Sequence, residues 1–280
     1  MEQLQLSFSH CQRWDRRRAS YRPAGEPIDV SRYQVAPMGF ADAKRFVLET
    51  HYSASMPVAQ LQIGLYSKAS AFCAEQLAGV LVFSVPVQEA AVPAWLDGLS
   101  PRAGVEIGRL VLHDSVPANG ETFMLGRAFR LLREKLPAVE GVLSYCDPVE
   151  RTDAEGNIVK RGHLGTIYKA HNARLAGTSS PRTLILSRDG RCVSQRALSK
   201  IRRGEQGADY AMRQLVEMGA PARAPFEDAV AYVRRALSDG AFRKVRHPGN
   251  FVFTWRLNRR PLAEPARERP AHVHHIQVAS

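Results

Sequence analysis

The sequence predicts a mixed α/β fold, a largely antiparallel sheet flanked by helices with a basic helical insert before the last strand. Three observations carry that expectation. The β-rich runs "LQIGLYS", "LAGVLVFSVPV" and "VEIGRLVLHD" succeed one another over short, turn-forming connections, as paired strands do. A strongly periodic helical stretch then separates them from the apolar run "EGVLSYCDP". Finally, residues 188 to 260 hold sixteen Lys and Arg against seven Asp and Glu, nine of the chain's net charge of +12. With 280 residues and 45% hydrophobic content the chain can bury a sizeable core.

Taken in order, residues 1–30 are polar, rich in Arg and Pro and without periodicity, and read as a basic extended arm. "FADAKRFVLETHY" reads as a short helix with Asp42 as N-cap, ending near His51. Two paired strands follow, joined by small residues around Lys68 to Gln76, and then the third strand. In "PANGETFMLGRAFRLLREKLP", Leu125, Ala128, Phe129, Leu132 and Leu136 share one helical face that Pro137 closes. "EGVLSYCDP" returns as a buried strand, and "HLGTIYKAHNARLAG" reads as a helix ended by Gly177. "RTLILSRDG" and "NFVFTWRL" are the remaining strands. The expected organisation is therefore an arm over 1–30, a main α/β core over 31–190, a basic helical insert over 191–248, a final core strand over 249–260 and a flexible tail over 261–280.

No window has the length and apolarity of a bilayer-crossing helix, and the N-terminus lacks a signal-peptide pattern, so a cytoplasmic protein is expected. Cys11, Cys73, Cys146 and Cys192 are widely spaced with no C-x-x-C pair, which supports neither a disulfide framework nor a structural zinc site. A pI of about 10 points to a polyanionic partner, and the clustering of cations in the insert favours phosphate contact there. Lys200 within "SQRALSKI" and Arg202 and Arg203 just past it are the expected phosphate contacts; Ala197, Leu198 and Ile201 turn inward. The arm around Arg16, Arg17 and Arg18 is the alternative phosphate-binding surface, and the solvated face of a helical subdomain is the plainer reading of the insert's charge.

The strand "GRLVLHD", the loop "SVPANGET" and the following helix make a potential anion site, with backbone N–H groups and the helix dipole facing a ligand such as a coenzyme pyrophosphate. Asn119 and Gly120 permit the tight turn, Thr122 can cap the helix, and Gly126 lets a ligand or neighbouring backbone approach; with Arg127 they are the candidate cofactor-binding residues. The order of elements resembles the Gcn5-related N-acetyltransferase (GNAT) fold, which implies acetyl-CoA as donor. "NGETFMLGR" departs from the usual Q/R-x-x-G-x-G/A loop.

A closer resemblance covers most of the chain. "EIGRLVLHDSVPANGETFMLGRAFRLL", "GVLSYCDP", "GHLGTIYKAHN" and "SKIRRGEQG" together resemble the Mom family of phage DNA-modification proteins, itself GNAT-like. The resemblance implies conversion of adenine in double-stranded phage DNA to a carbamoylmethylated form that resists restriction. It implies His51, Tyr52, Asp147 and Tyr168 as catalytic residues and an iron requirement, for which His51, Tyr52 and Asp147 supply an O/N set. Tyr168 can instead protonate a leaving thiolate. Simpler readings stay open: Asp147 before Pro148 suits a turn, Tyr168 a core position, and His51-Tyr52 a helix end. Two further functions stay open as well, an ordinary GNAT N-acetyltransferase acting on an RNA, protein or small amine, and a non-catalytic DNA-binding protein on a GNAT-like core.

Asp147 and Tyr168 bracket the polar stretch "VERTDAEGNIVKR", which is expected to loop outward while its ends stay close.

Overall fold

The computed structural model describes residues 10–15, 18–23, 25–68 and 75–257. The tail over 261–280, together with Arg16 and Arg17, lies outside the described residues, and of Arg18 only the backbone is described.

Seven strands form the main sheet, in the spatial order β10, β13, β7, β6, β5, β4, β3. They are β3 (Tyr33–Pro37), β4 (Ala59–Ser67), β5 (Gln76–Ser84), β6 (Gly104–Leu112), β7 (Gly141–Cys146), β10 (Arg174–Thr178) and β13 (Phe251–Arg256). Every neighbouring pair is antiparallel except β6 and β7. The expected mixed, largely antiparallel sheet flanked by helices is what forms. Its faces follow the two-residue alternation of strands. Leu81 and Phe83 of β5 meet α3 (Gly120–Lys135), whose Met124, Leu125, Ala128, Phe129 and Leu132 join the principal core. Val80 and Val82 point to the other face and meet Ala43, Phe46 and Val47 of α1 (Phe40–Thr50). The N-cap of α1 is Gly39 rather than Asp42, which sits in the first turn and pairs with Arg45 at 2.6 Å.

The parallel pairing is short. Gly104, Val105 and Glu106 face Gly141, Val142 and Leu143, and beyond that point β6 continues against β5 while β7 continues against β13. The sheet therefore splays open past Glu106.

Four sequence expectations change. "HLGTIYKAHNARLAG" is helical only over α4 (Thr166–Ala170); Asn172 takes φ +58°, and Arg174–Thr178 becomes edge strand β10, in which Gly177 lies at a bulge. The helix is stopped where Trp255 Nε1 donates to the His171 carbonyl at 2.9 Å. "RTLILSRDG" does not join the main sheet: β11 (Arg182–Ser187) pairs with β12 (Phe242–His247), a strand that the alternating charges of "FRKVRH" concealed. Within the expected arm, β1 (His10–Asp15) and β2 (Arg18–Pro23) form a hairpin. The polar stretch after Asp147 folds back as a second hairpin, β8 (Arg151–Thr152) and β9 (Ile158–Lys160).

Between β11 and β12 lie α5 (Gln195–Arg203), α6 (Ala208–Glu217) and α7 (Ala229–Ser238). Leu198, Ile201, Leu215, Tyr232 and Val233 build a separate apolar cluster that Ile185 of β11 joins, and Ala197 packs against it. Short α2 (Ala91–Trp95) covers the sheet beside β7 through Val92 and Leu96.

Candidate active site

The splayed end of β6 and β7 collects ionisable side chains from several segments. His51 ends α1 and is buried, its ring 4.4 Å from that of Tyr52. The Ser53 N–H donates to His51 Nδ1 at 3.1 Å, so the neutral ring carries its proton on Nε2. Burial, reinforced by Arg109 and His163, pushes its pKa down to about 3, and it stays neutral near pH 7. Burial also raises the Tyr52 phenol, which feels Arg151, Arg109 and Asp147.

Asp147 follows β7 and is held from several sides. Its Oδ1 accepts from Val149 N–H at 3.0 Å and contacts His247 Nε2 at 2.9 Å. Its Oδ2 faces Lys160 Nζ at 3.3 Å and Arg151 at 3.4 Å. Burial opposes ionisation, but Lys160, His247, the Val149 amide and Arg151 together hold the carboxyl below its usual range. Lys160 is itself buried and donates to the carbonyls of Asp147, Val149 and Arg161, each at 3.1 Å. Burial brings its pKa down to about 8 against the pull of Asp147. The base of the hairpin thus supplies two of the cations around Asp147, while its tip, residues 154–159, is exposed and loops outward as expected.

The chain then returns through "RGHLG". A Cβ on Gly162 would meet the Pro148 carbonyl at 2.1 Å, and Gly165, at φ +71°, lies against the Phe253 ring, where a Cβ would come within 2.2 Å. These glycines let the strand of return press against the chain beyond β7 and launch α4. His163 N–H donates to the Asp147 carbonyl at 2.8 Å, and its ring meets Tyr168 edge-on at 5.8 Å. Burial, with Lys160 nearby, lowers His163 to about 4. Tyr168 is buried against Trp255 and Phe253, and burial, with Cys146, Tyr52 and Glu106 nearby, drives its phenol far up against a small opposing effect of Ser144. It stays protonated, so it can act as an acid but not as a phenolate base.

Glu106 sits at the apex of the splay. Its Oε2 is buried without a hydrogen-bond partner, and burial lifts its pKa to about 7 despite the Val87 amide and Arg109. Arg109 is anchored on Ser55, through Nε to the carbonyl at 2.9 Å and Nη2 to Oγ at 2.7 Å. A neutral histidine, two protonated phenols, a fixed carboxylate and a carboxyl poised near neutrality make a site suited to proton transfer.

The Mom protein family profile matches residues 32–226, most of the chain. This chain belongs to the Mom family. A curated relative, the methylcarbamoylase mom of Escherichia phage Mu, is 30% identical over 109 residues, 39% of this chain and 40% of that protein's length. The tandem GNAT protein from the clavulanic acid biosynthesis pathway, solved without AcCoA, superposes with a TM-score of 0.40 at 10% identity, covering 81% of this chain and 99% of its own. That score carries no argument about the site.

The four residues that the Mom resemblance points to, His51, Tyr52, Asp147 and Tyr168, lie in this one cluster, linked through His163. They do not fit the expected iron set. A metal-bound imidazole keeps its proton on the distal nitrogen. Here Nδ1 of His51 accepts an N–H, which leaves the proton on Nε2, and both Asp147 oxygens face nitrogen donors. Among the described residues no three His, Cys, Asp or Glu side chains are grouped to hold a metal ion.

The expected cofactor loop is filled by the chain itself. Ala118 N–H donates to Glu26 Oε2 at 3.2 Å, Gly120 N–H to the Pro117 carbonyl at 3.2 Å, and Ser20 Oγ to Asp114 at 2.8 Å. Buried Arg13 binds Glu121 and the carbonyls of His113, Val116 and Pro117. Asn119, at φ +69°, is the N-cap of α3, and Thr122 lies inside the helix and donates to the Asn119 carbonyl rather than capping. Gly126 faces His171 with room for a methyl group, and Arg127 stacks on Phe123 beside an open groove of about 390 Å³. With Glu26 on its N–H, this loop does not fit a diphosphate.

Lys200, Arg202 and Arg203 fall in the last turn of α5, where the helix dipole already favours cations, and Arg203 faces Glu205 at 3.7 Å. Sequence reasoning missed Glu106, His163, Lys160 and His247. Glu106 and His163 lie inside recognisable motifs; Lys160 and His247 have no local signal, because only the hairpin fold and the β11–β12 pairing bring them to Asp147.

Proposed function

We propose that this chain is a DNA-modifying transferase that attaches a carbamoylmethyl-type group to the exocyclic amine of adenine in double-stranded DNA. One observation carries the reading: His51, Tyr52, Asp147 and Tyr168, scattered over more than a hundred positions, share a cluster at the splay beside Glu106, whose Oε2 is buried without a hydrogen-bond partner.

The adenine amine is a poor nucleophile and is stacked and paired in a duplex, so the base must leave the helix to react. Transfer forms an N–C bond to the methylene carbon of an activated carboxamidomethyl donor and breaks the bond from that carbon to its leaving group. The amine loses one proton. Glu106 takes it as a carboxylate, and Tyr168, protonated, hydrogen-bonds the departing group. His51 carries its N–H on Nε2, and Asp147, paired with Lys160 and Arg151, holds the frame of the site. Acyl transfer at a thioester carbonyl does not give this product, and a CoA-type donor would need the N-terminal hairpin to vacate the β6–α3 loop. DNA phosphates are held by the basic insert, including Lys200, Arg202 and Arg203. No helix among the described residues is long and apolar enough to cross a membrane.

The test is expression in a bacterium followed by nucleoside digestion and mass spectrometry for a modified deoxyadenosine. Unmodified DNA alongside an acetylated protein or RNA would shift support to an ordinary acetyltransferase.

A further inference from the structure

We propose that His247 is a positioning residue for the site: its ring, fixed in one tautomer by the backbone of Gly249, holds the Asp147 carboxylate in place and ties the strand leaving the basic insert to the reaction centre. The inference rests on the functional reading above. His247 lies outside residues 32–226, the span that matches the family profile.

The geometry leaves the ring one choice. Gly249 N–H donates to Nδ1 at 3.1 Å, so Nδ1 is bare and the proton of the ring sits on Nε2. That Nε2–H points at Asp147 Oδ1, 2.9 Å away, and His247 is only 1% exposed, so water cannot take over either nitrogen. A neutral donor suits this position. Asp147 already faces Lys160 and Arg151, and a third full cation beside them would add repulsion. The imidazole instead adds direction: with Val149 N–H on the same oxygen and the cations on the other, the plane of the carboxylate is set.

What Asp147 holds follows from its backbone. Its carbonyl accepts from His163 N–H at 2.8 Å, and the His163 ring lies edge-on to Tyr168. Freeing the carboxylate frees the anchor of His163 and with it the packing of the phenol. On the other side, β12 runs straight from α7 and carries exposed Arg243, Lys244 and Arg246 before His247. A strand whose outer residues suit phosphates therefore ends in the side chain that fixes the site.

The experiment compares wild type, His247→Ala and His247→Gln as full chains, measuring modified deoxyadenosine, affinity for duplex DNA, and the ring nitrogens of 15N-histidine-labelled protein by NMR. His247→Ala is expected to lose about tenfold to a hundredfold in modification, the cost of a misplaced group, with unchanged DNA affinity. His247→Gln, whose amide N–H can reach Oδ1, is expected to restore most of it. The wild-type spectrum should show His247 protonated on Nε2 and bare on Nδ1. Full modification by His247→Ala, an affinity loss matching its activity loss, or a proton on Nδ1 would overturn the inference. If His247→Ala fails to fold, the glutamine variant and the spectrum decide. If wild type leaves DNA unmodified, the functional reading falls, while the spectrum still decides whether the ring is locked.

Discussion

Glu106 and Asp147 are both partly buried carboxyls near one splay, yet their surroundings send them in opposite directions. Asp147 has donors on both oxygens and stays ionised; Glu106 has a bare oxygen, and its pKa rises to about 7. As proton acceptor Glu106 works ionised, so modification is expected to rise with pH through about 7. Glu106→Gln should remove that limb and lower the rate by about a hundredfold or more. A variant with wild-type rate and pH profile would end that role. The stability sign is opposite: the folded pKa exceeds the reference 4.5, so this group's contribution is full below that value and is lost as pH rises through about 7. For Asp147, substitution tests structure as much as chemistry. Asp147→Ala strands buried Lys160 and should cost about 3 kcal/mol in denaturant unfolding. Tyr168→Phe keeps the ring packing against Trp255 and Phe253 and is expected to stay folded while losing modification. If Asp147→Ala unfolds like wild type, the ion cluster contributes nothing.

At the scale of elements, the strands and helices with a clear period were legible: β4 to β7, α1 and α3 all form where alternation or helical spacing placed them. What escaped was set by long-range pairing. "FRKVRH" carries three cationic side chains and reads as the end of a helical insert, but across from "RTLILS" it becomes β12. "ARLAG" continues a helical pattern until β13 offers it an edge, and the strands of the hairpin after Asp147, "RT" and "IVK", are too short for a period to announce them. The candidate site was half legible for the same reason. Family motifs named four residues, whereas Lys160 and His247 arrive through those unforeseen pairings. Gly165 joins sequence to geometry most sharply, with a positive φ and the Phe253 ring in the space of a Cβ. Gly165→Ala should destabilise by about 2 to 3 kcal/mol and disturb α4, whereas Gly126→Ala, with nothing closer than 3.8 Å, should be tolerated. Equal stabilities in thermal unfolding would contradict the tight fit at Gly165.

Across the whole molecule the charge and the chemistry are separated but joined. The site lies at the splay of the main sheet, and nine of the twelve net positive charges lie between residues 188 and 260. Replacing Lys200, Arg202 and Arg203 by Ala should weaken binding to any DNA sequence and flatten its salt dependence by about 0.9 in log-log slope for each lost phosphate contact. An unchanged slope would move the DNA surface elsewhere, with exposed Lys244 and Arg246 of β12 next in line. The central claim, that this splay modifies adenine, is tested most directly on the product. DNA from cells expressing the chain, digested to nucleosides and read by mass spectrometry, is expected to contain a carbamoylmethyl-type deoxyadenosine that disappears with Tyr168→Phe. Unmodified deoxyadenosine from cells that hold folded protein, or a modified base that persists in that variant, would contradict the account.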